Sequence, residues 1–276
     1  MTQLDGKVAI ITGASTGLGP VMAARFVKEG ARVVLAARRE ELVQAAATAA
    51  GPPDKAIAMR ADVTNEADVA AMVARAVSEF GQVDILCNNA AAPGTDKWIW
   101  EQTLDNWNAT IGIDVTAAML CSREVLNQSM LARGSGSIIN FSSTAGFGAP
   151  ARKTHYVTAK AALRAFTQAV AREVGPKGIR CNCLVPGGIK TDLWTNWIKR
   201  IAGETERRSG GPSARRAVSS AFRSNTSASA SNRDAGASRS RSSLMLDLQG
   251  PRIAAWQVHA HGVFAPAAPA CTRSDR

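Results

Sequence analysis

The chain has 276 residues, a formal net charge of +11 and an apolar fraction of 46 %. No apolar run is long enough to cross a membrane, and the sequence leads directly into a strand-like segment, so neither a membrane span nor a signal peptide is expected. The five cysteines, Cys87, Cys121, Cys181, Cys183 and Cys271, are scattered without a Cys-x-x-Cys pair, which argues against a metal site and for a reduced, cytoplasmic protein.

Residues 7–11, an apolar and β-branched run, predict a buried first strand. Thr12-Gly13-Ala14-Ser15-Thr16-Gly17-Leu18-Gly19 follows, and then a helix predicted from Pro20 and stopped by Gly30. Strand, glycine-rich turn and helix together form the start of a dinucleotide-binding unit. Gly13 permits the tight turn, Gly17 lets the backbone approach a pyrophosphate, and Gly19 allows close helix packing. The helix N-terminus offers free N–H groups to the phosphates, and Pro20 suits a first helical position. A plain glycine-rich turn is the competing reading, but the flanking strand and helix are the context the motif requires.

Further strands are predicted at residues 33–36, 56–59, 83–87, 137–141 and 180–185, separated by helical stretches. This alternation predicts an α/β fold: one doubly wound domain with a parallel sheet covered on both faces. After the second strand comes Ala37-Arg38-Arg39. Binding of NAD calls for an acid near this place to meet the ribose 2′-hydroxyl, whereas an arginine accommodates the 2′-phosphate of NADP. Arg38 can pair a phosphate bidentately, so NADP is the expected cofactor and NAD the second choice. A solvated loop end is the bland account of the two arginines.

Trp98, Trp100 and Trp107 cluster after the fourth strand. Core or oligomer-contact packing is the default for them, with the rim of a substrate pocket as the sharper option. Tyr156 is the only tyrosine of the chain and lies in Tyr156-Val157-Thr158-Ala159-Lys160. A helical i, i+4 step sets a phenol beside an ammonium, and a cation next to a phenol favours the phenolate, a useful property for proton transfer near neutral pH. His155 reads as a neighbour rather than as an acid, because the phenol already fills that role.

Taken with four further motifs, these residues resemble the short-chain dehydrogenase/reductase family over about residues 4–194. The further motifs are Asp62-Val63 after the third strand, Asn88-Asn89-Ala90-Ala91 after the fourth, Ser143 thirteen residues before the tyrosine, and Pro186-Gly187 after the sixth. The resemblance implies a Rossmann oxidoreductase that moves a hydride between NADP(H) and a small-molecule alcohol or ketone. Tyr156 is then the general acid/base and Ser143 the hydrogen-bond partner of the substrate oxygen, while Lys160 binds the nicotinamide ribose. It further implies cofactor contacts from Gly13, Ser15, Thr16, Gly17, Leu18, Gly19 and Arg38. Asp62 and Val63 would hold the adenine. Asn89, Ala90, Tyr156, Lys160, Pro186, Gly187, Ile189 and Thr191 complete the implied set. Family members assemble as dimers or tetramers; no metal, membrane or nucleic-acid partner is expected.

Two departures from the family stand out. Asp114 occupies the place of an asparagine that helps to hold a proton-relay water. An ionised aspartate only accepts hydrogen bonds where an asparagine also donates, but the swap is nearly isosteric, and a working substitute is the expected outcome. The second departure begins after about residue 202. Residues 1–202 carry 22 basic and 17 acidic side chains, and residues 203–276 carry 11 arginines, no lysine and 5 acids, with 13 serines. Such a segment offers too little apolar surface to offset its ordering entropy, so a Rossmann domain over 1–202 followed by a disordered Arg/Ser/Ala-rich tail is expected. The last helix and strand of the family are not recognisable there. Residues 221–228, read one frame over, can encode Ile-Pro-Phe-Lys-His-Leu-Gly, close to a family segment, which points to out-of-frame sequence. A nucleic-acid-binding tail is the rival account. A catalytically impaired remnant is the alternative to a working enzyme.

Overall fold

The computed structural model describes residues 2–191 together with 195, 198 and 199. The expectations for residues 203–276, including Cys271, lie outside the described residues. Among the described residues six strands form one sheet: β1 (Val8–Thr12), β2 (Arg32–Ala37), β3 (Ala56–Arg60), β4 (Ile85–Asn88), β5 (Gly136–Phe141) and β6 (Ile179–Leu184). Their order is β3-β2-β1-β4-β5-β6, and every pairing is parallel. This is the doubly wound arrangement, with the reversal of strand order between β1 and β4, and ligands of such sheets bind outside the C-terminal strand ends at that switch.

The helices are α1 (Leu18–Lys28), α2 (Glu40–Ala50), α3 (Glu66–Phe80), α4 (Leu104–Ile111), α5 (Ala117–Val125), α6 (Leu131–Arg133), α7 (Ala145–Gly148) and α8 (Thr154–Val174). Successive strand residues point to opposite faces. Ala9 and Ile11 of β1 pack with Met22 of α1 and Val43 of α2, whereas Val8 and Ile10 pack with Met72 of α3, Leu120 of α5 and Val170 of α8. Both faces are therefore buried, as the near-continuous apolar strands require.

Two local details differ from the expectations. Pro20 is the third residue of α1, not the first; it remains in the first turn, where the N–H it lacks would have no helical partner. Strand β4 starts at Ile85 rather than Val83, because the Val83 N–H is taken by the Ser129 hydroxyl at 2.9 Å.

Asp84, just before β4, ties three elements together. Its Oδ2 accepts from the Val8 N–H at 2.9 Å, and its Oδ1 accepts from Arg133 at 2.6 Å. Burial alone would raise this carboxyl, but the Val8 N–H and the Arg133 guanidinium outweigh it and hold the group below its ordinary 3.8. A depressed native value adds stability that is present above 3.8 and lost as pH falls through the native value. Asp84→Asn should therefore lower stability by about 1.5–3 kcal/mol near neutrality, measured by urea unfolding. The deficit should shrink below pH 3.8, and one that stays constant would contradict the charged role.

Candidate active site

The residues singled out from the sequence gather at the C-terminal ends of the strands. After β1, the turn is built around Thr12, whose hydroxyl accepts from the N–H groups of Asn89 and Ala90, both at 3.1 Å. The Asn89 amide donates back to Thr12 O at 2.9 Å and Gly13 O at 3.3 Å. Asn89 is thus committed to holding the turn against the end of β4. Gly13 has a φ of +64°, and a Cβ there would lie 2.7 Å from Ala90 Cα; at Gly19 it would lie 2.6 Å from Ala14 Cα. Bare backbone is required at both places. Leu18 is buried, and Gly17, at φ +70°, faces the Thr191 methyl.

Sequence reasoning missed Arg39. Its guanidinium Nη2 donates to the hydroxyls of both Ser15 and Thr16 at 3.0 Å, which sets a cation over the glycine-rich turn. The adjacent Arg38 faces Asp62 instead. Burial works to raise the Asp62 carboxyl, but the N–H and hydroxyl of Thr64, at 3.0 and 2.7 Å, and the charges of Arg38 and Arg60 bring it below 3.8. Val63 beside it is buried. The doublet of arginines was visible in the sequence; which one reaches the turn depends on the twist of the β2 end.

The catalytic candidates form a second group. Asp114 and Lys160 are both buried, at 2 % exposure each, and their charged ends lie 3.0 Å apart. The Lys160 ammonium also donates to Phe141 O at 2.9 Å, and Asp114 Oδ1 accepts from the Ala92 N–H at 2.7 Å. Asp114 sits in a π-turn, Gly112–Thr116, that joins α4 to α5; such insertions recur at functional sites. Burial pushes its carboxyl up, against the pull of Lys160 and the Ala92 N–H. A small cavity bounded by Thr12, Val63, Asn88, Asp114 and Cys121 adjoins it. Lys160 Nζ lies 5.5 Å from the centre of the Tyr156 ring and Lys153 Nζ lies 5.7 Å from it.

Ser143 follows β5 two residues after Phe141, and its hydroxyl accepts from the Ala145 N–H at 3.2 Å. The preceding Ser142 is spent on Lys160 O, at 2.7 Å. Thr144 N–H donates to Pro186 O at 3.1 Å, which joins the serine loop to Pro186-Gly187, and Thr191 N–H donates to Ile189 O at 2.8 Å.

Trp98 and Trp100 stack with ring centres 5.2 Å apart. Trp100 is 75 % exposed, so the core reading does not hold for it. Burial pushes the thiols of Cys87, Cys121 and Cys181 up to about 12, which makes them poor nucleophiles and metal ligands. Among the described residues no cluster suited to a metal ion occurs, and no helix is long and apolar enough to cross a membrane.

A bare glycine turn topped by hydroxyls and a guanidinium suits an anionic diphosphate, and a buried ammonium beside a phenol suits alcohol or ketone chemistry. Fold and site together define an oxidoreductase of alcohols and ketones that works with a nicotinamide nucleotide. The pattern of the short chain dehydrogenase family matches residues 7–202, and the chain belongs to the short-chain dehydrogenase/reductase family. It is 33 % identical over 206 residues to meso-2,3-butanediol dehydrogenase of Serratia marcescens, covering 75 % of this chain and 80 % of that one. Among solved structures, a 3-ketoacyl-(acyl-carrier-protein) reductase from Brucella melitensis complexed with NADH aligns at a TM-score of 0.67. It is 35 % identical and covers 70 % of this chain and 80 % of its own. An NAD+-bound xylitol dehydrogenase aligns at 0.68, with 29 % identity and coverage of 72 % and 77 %.

Proposed function

We propose that the protein interconverts a secondary alcohol and its ketone with NADP(H), using Tyr156 as general acid/base. The observation that carries this reading is the buried Lys160 ammonium, held by Phe141 O and the Asp114 carboxylate and 5.5 Å from the ring of the only tyrosine. An ammonium has three donors. One serves Phe141 O and the charge is paired with Asp114, which leaves donor capacity for a nicotinamide ribose. A nicotinamide bound there would supply the hydride chemistry at the substrate carbon. In the direction of reduction the Tyr156 O–H gives its proton to the substrate oxygen, and the Ser143 hydroxyl donates a hydrogen bond to the same atom. Asp114 keeps Lys160 in place, and the small, largely apolar cavity beside it offers Thr12, Asn88 and Asp114 as the polar contacts a relay water would use.

Preference for NADP rests on charge. Ala37 offers no carboxylate for a ribose 2′-hydroxyl, while Arg38 and Arg39 would supply the positive charge that a 2′-phosphate needs. Arg39 is already drawn onto Ser15 and Thr16. Arg38→Ala and Arg39→Ala should each weaken NADPH binding far more than NADH binding, by roughly 10-fold or more if one charged hydrogen bond of about 1.5–3 kcal/mol is lost. Titration of both cofactors against wild type and the two variants, with ketone reduction followed in parallel, is the test. Equal losses for the two cofactors would remove the 2′-phosphate role. Wild-type protein that binds NADPH and reduces no ketone would fit the impaired remnant instead.

A further inference from the structure

His155 takes no part in the reaction described above, yet it is fully buried and immediately precedes Tyr156. Both ring nitrogens are engaged. Nδ1 lies 2.7 Å from Gln102 Nε2, and Nε2 lies 3.0 Å from Pro93 O. Gln102 Oε1 in turn accepts from Asn106 Nδ2 at 2.6 Å. Asn106 is fastened to the Thr95 backbone on both sides: its Oδ1 accepts from the Thr95 N–H at 2.8 Å, and its Nδ2 donates to Thr95 O at 3.1 Å.

The two ends of this chain are backbone groups whose direction is fixed. The Thr95 N–H can only donate, so the amide oxygen of Asn106 faces it. The amide nitrogen of Asn106 then faces the Gln102 oxygen, and the Gln102 amide nitrogen donates to His155 Nδ1. At the other end Pro93 O can only accept, so His155 Nε2 carries the hydrogen. The amide and ring orientations follow from the network itself, and it admits one form of the ring, the neutral Nε2–H imidazole. Gly94 packs so closely that a Cβ there would lie 2.5 Å from His155 Cδ2 and Nε2, which leaves the ring no space on that side.

We propose that His155 is a positioning residue for Tyr156: as a neutral imidazole it fastens the first turn of α8 to the segment from Pro93 to the start of α4, and a proton on Nδ1 releases that fastening and lowers turnover. This inference rests on the catalytic reading of Tyr156. A second N–H on the ring would confront the Gln102 NH2 group, two donors without an acceptor in a buried place, which costs the desolvation of both. Turning the Gln102 amide over would only move the conflict to Asn106 Nδ2. The titratable groups to be reckoned with are Asp114 in the π-turn, whose carboxyl a charge on His155 would lower, Tyr156 and Lys160 on its own helix, Lys153 just before that helix, and Asp96 and Lys97 in the segment that the ring meets at Pro93. The Lys153–Asp96 ion pair at 2.9 Å and the Lys97 N–H to Arg152 O bond at 2.9 Å tie the same turn to the same loop, so the place of the tyrosine is set by the residues just before it.

Gln102→Glu tests the proposal, because a carboxylate opposite Nδ1 accepts from a protonated ring and still accepts from Asn106. Using the full-length protein, kcat for NADPH-dependent ketone reduction is measured against pH. At the acid pH where wild type has fallen to about a tenth of its plateau, the variant should keep at least about half of its own, with neutral plateaus within about twofold. Superimposable acid limbs would overturn the proposal. A second readout needs no turnover. The chain holds three histidines and one tyrosine, so ring carbon shifts of Tyr156 can be followed in isolation and ring nitrogen shifts of His155 beside only two other histidines. The neutral ring should show the Nε2–H pattern, and the Tyr156 signal should move as His155 takes up its proton in wild type but much less in Gln102→Glu. An Nδ1–H ring, or a Tyr156 signal indifferent to His155, would sink the idea. If neither protein reduces a ketone, the ring signals alone decide the fastening, and the failure belongs to the catalytic reading.

Discussion

Tyr156→Phe should lower turnover about 10²–10⁴-fold while NADPH binding stays within about twofold of wild type. Only one oxygen is removed, and the ring keeps its packing beside the two ammonium groups at 5.5 and 5.7 Å. General acid catalysis by a positioned side chain contributes about 10²–10⁴-fold, so the loss should fall in that range, with no compensating change in cofactor affinity. Binding is followed by fluorescence of the reduced cofactor and turnover by its consumption. A variant that keeps more than about a tenth of the wild-type rate, below the least loss that range allows, would take the proton-transfer role away from Tyr156. A variant that loses cofactor as well would point to a disturbed fold.

The second large effect is expected at Asp114. Its truncation to alanine leaves the buried Lys160 ammonium without its counter-charge and the Ala92 N–H without its acceptor, and breaking a buried pair in this way costs about 3–5 kcal/mol. Asp114→Asn keeps the shape and an acceptor for Ala92 and discards only the charge. The two variants therefore separate packing from charge. Burial lifts the Asp114 carboxyl above 3.8 in the folded protein, with Lys160 and the Ala92 N–H opposing. A raised native value means that the folded state holds the proton more tightly than the unfolded chain. The contribution to stability is then fullest below 3.8 and is lost as pH rises through the native value. Relative to Asp114→Asn, wild type should accordingly lose stability as pH climbs from 3.8, a trend that urea unfolding at several pH values can follow. A difference that grows in favour of wild type would mean that the ionised carboxylate is a net stabiliser.

The parts of the site that were legible in the sequence are those encoded over short spans. Thr12 to Gly19 announces its turn because glycines at those places answer local steric demands, and the Tyr156–Lys160 step follows from the pitch of one helix. Strand alternation gave away the sheet for the same reason. The partners joined across long separations were not legible. That Asp114 lies near Lys160 followed from the family resemblance and not from the residues around it, and nothing near His155 signals Gln102, 53 residues earlier. Arg39 was overlooked because a residue-type rule names the kind of side chain and not which of two neighbours the strand end turns inward. The start of β4 was misjudged because a side-chain hydroxyl from residue 129 competes for a backbone N–H, a contest that periodicity does not record.

The strand order has a consequence for the growing chain. Strands β1, β2 and β3 lie within the first 60 residues and pair with one another, but the other flank of β1 waits for β4, whose residues 85–87 meet residues 9–11. Until that strand has left the ribosome, at about 5–20 residues per second, Thr12 lacks the two N–H groups it accepts from and Gly13 lacks the Ala90 backbone it packs against. A nascent chain that already contains the entire glycine motif therefore has no finished nucleotide cradle. Cofactor cannot act as an early template for folding, and its stabilising effect through mass action begins only after the two halves of the sheet have met.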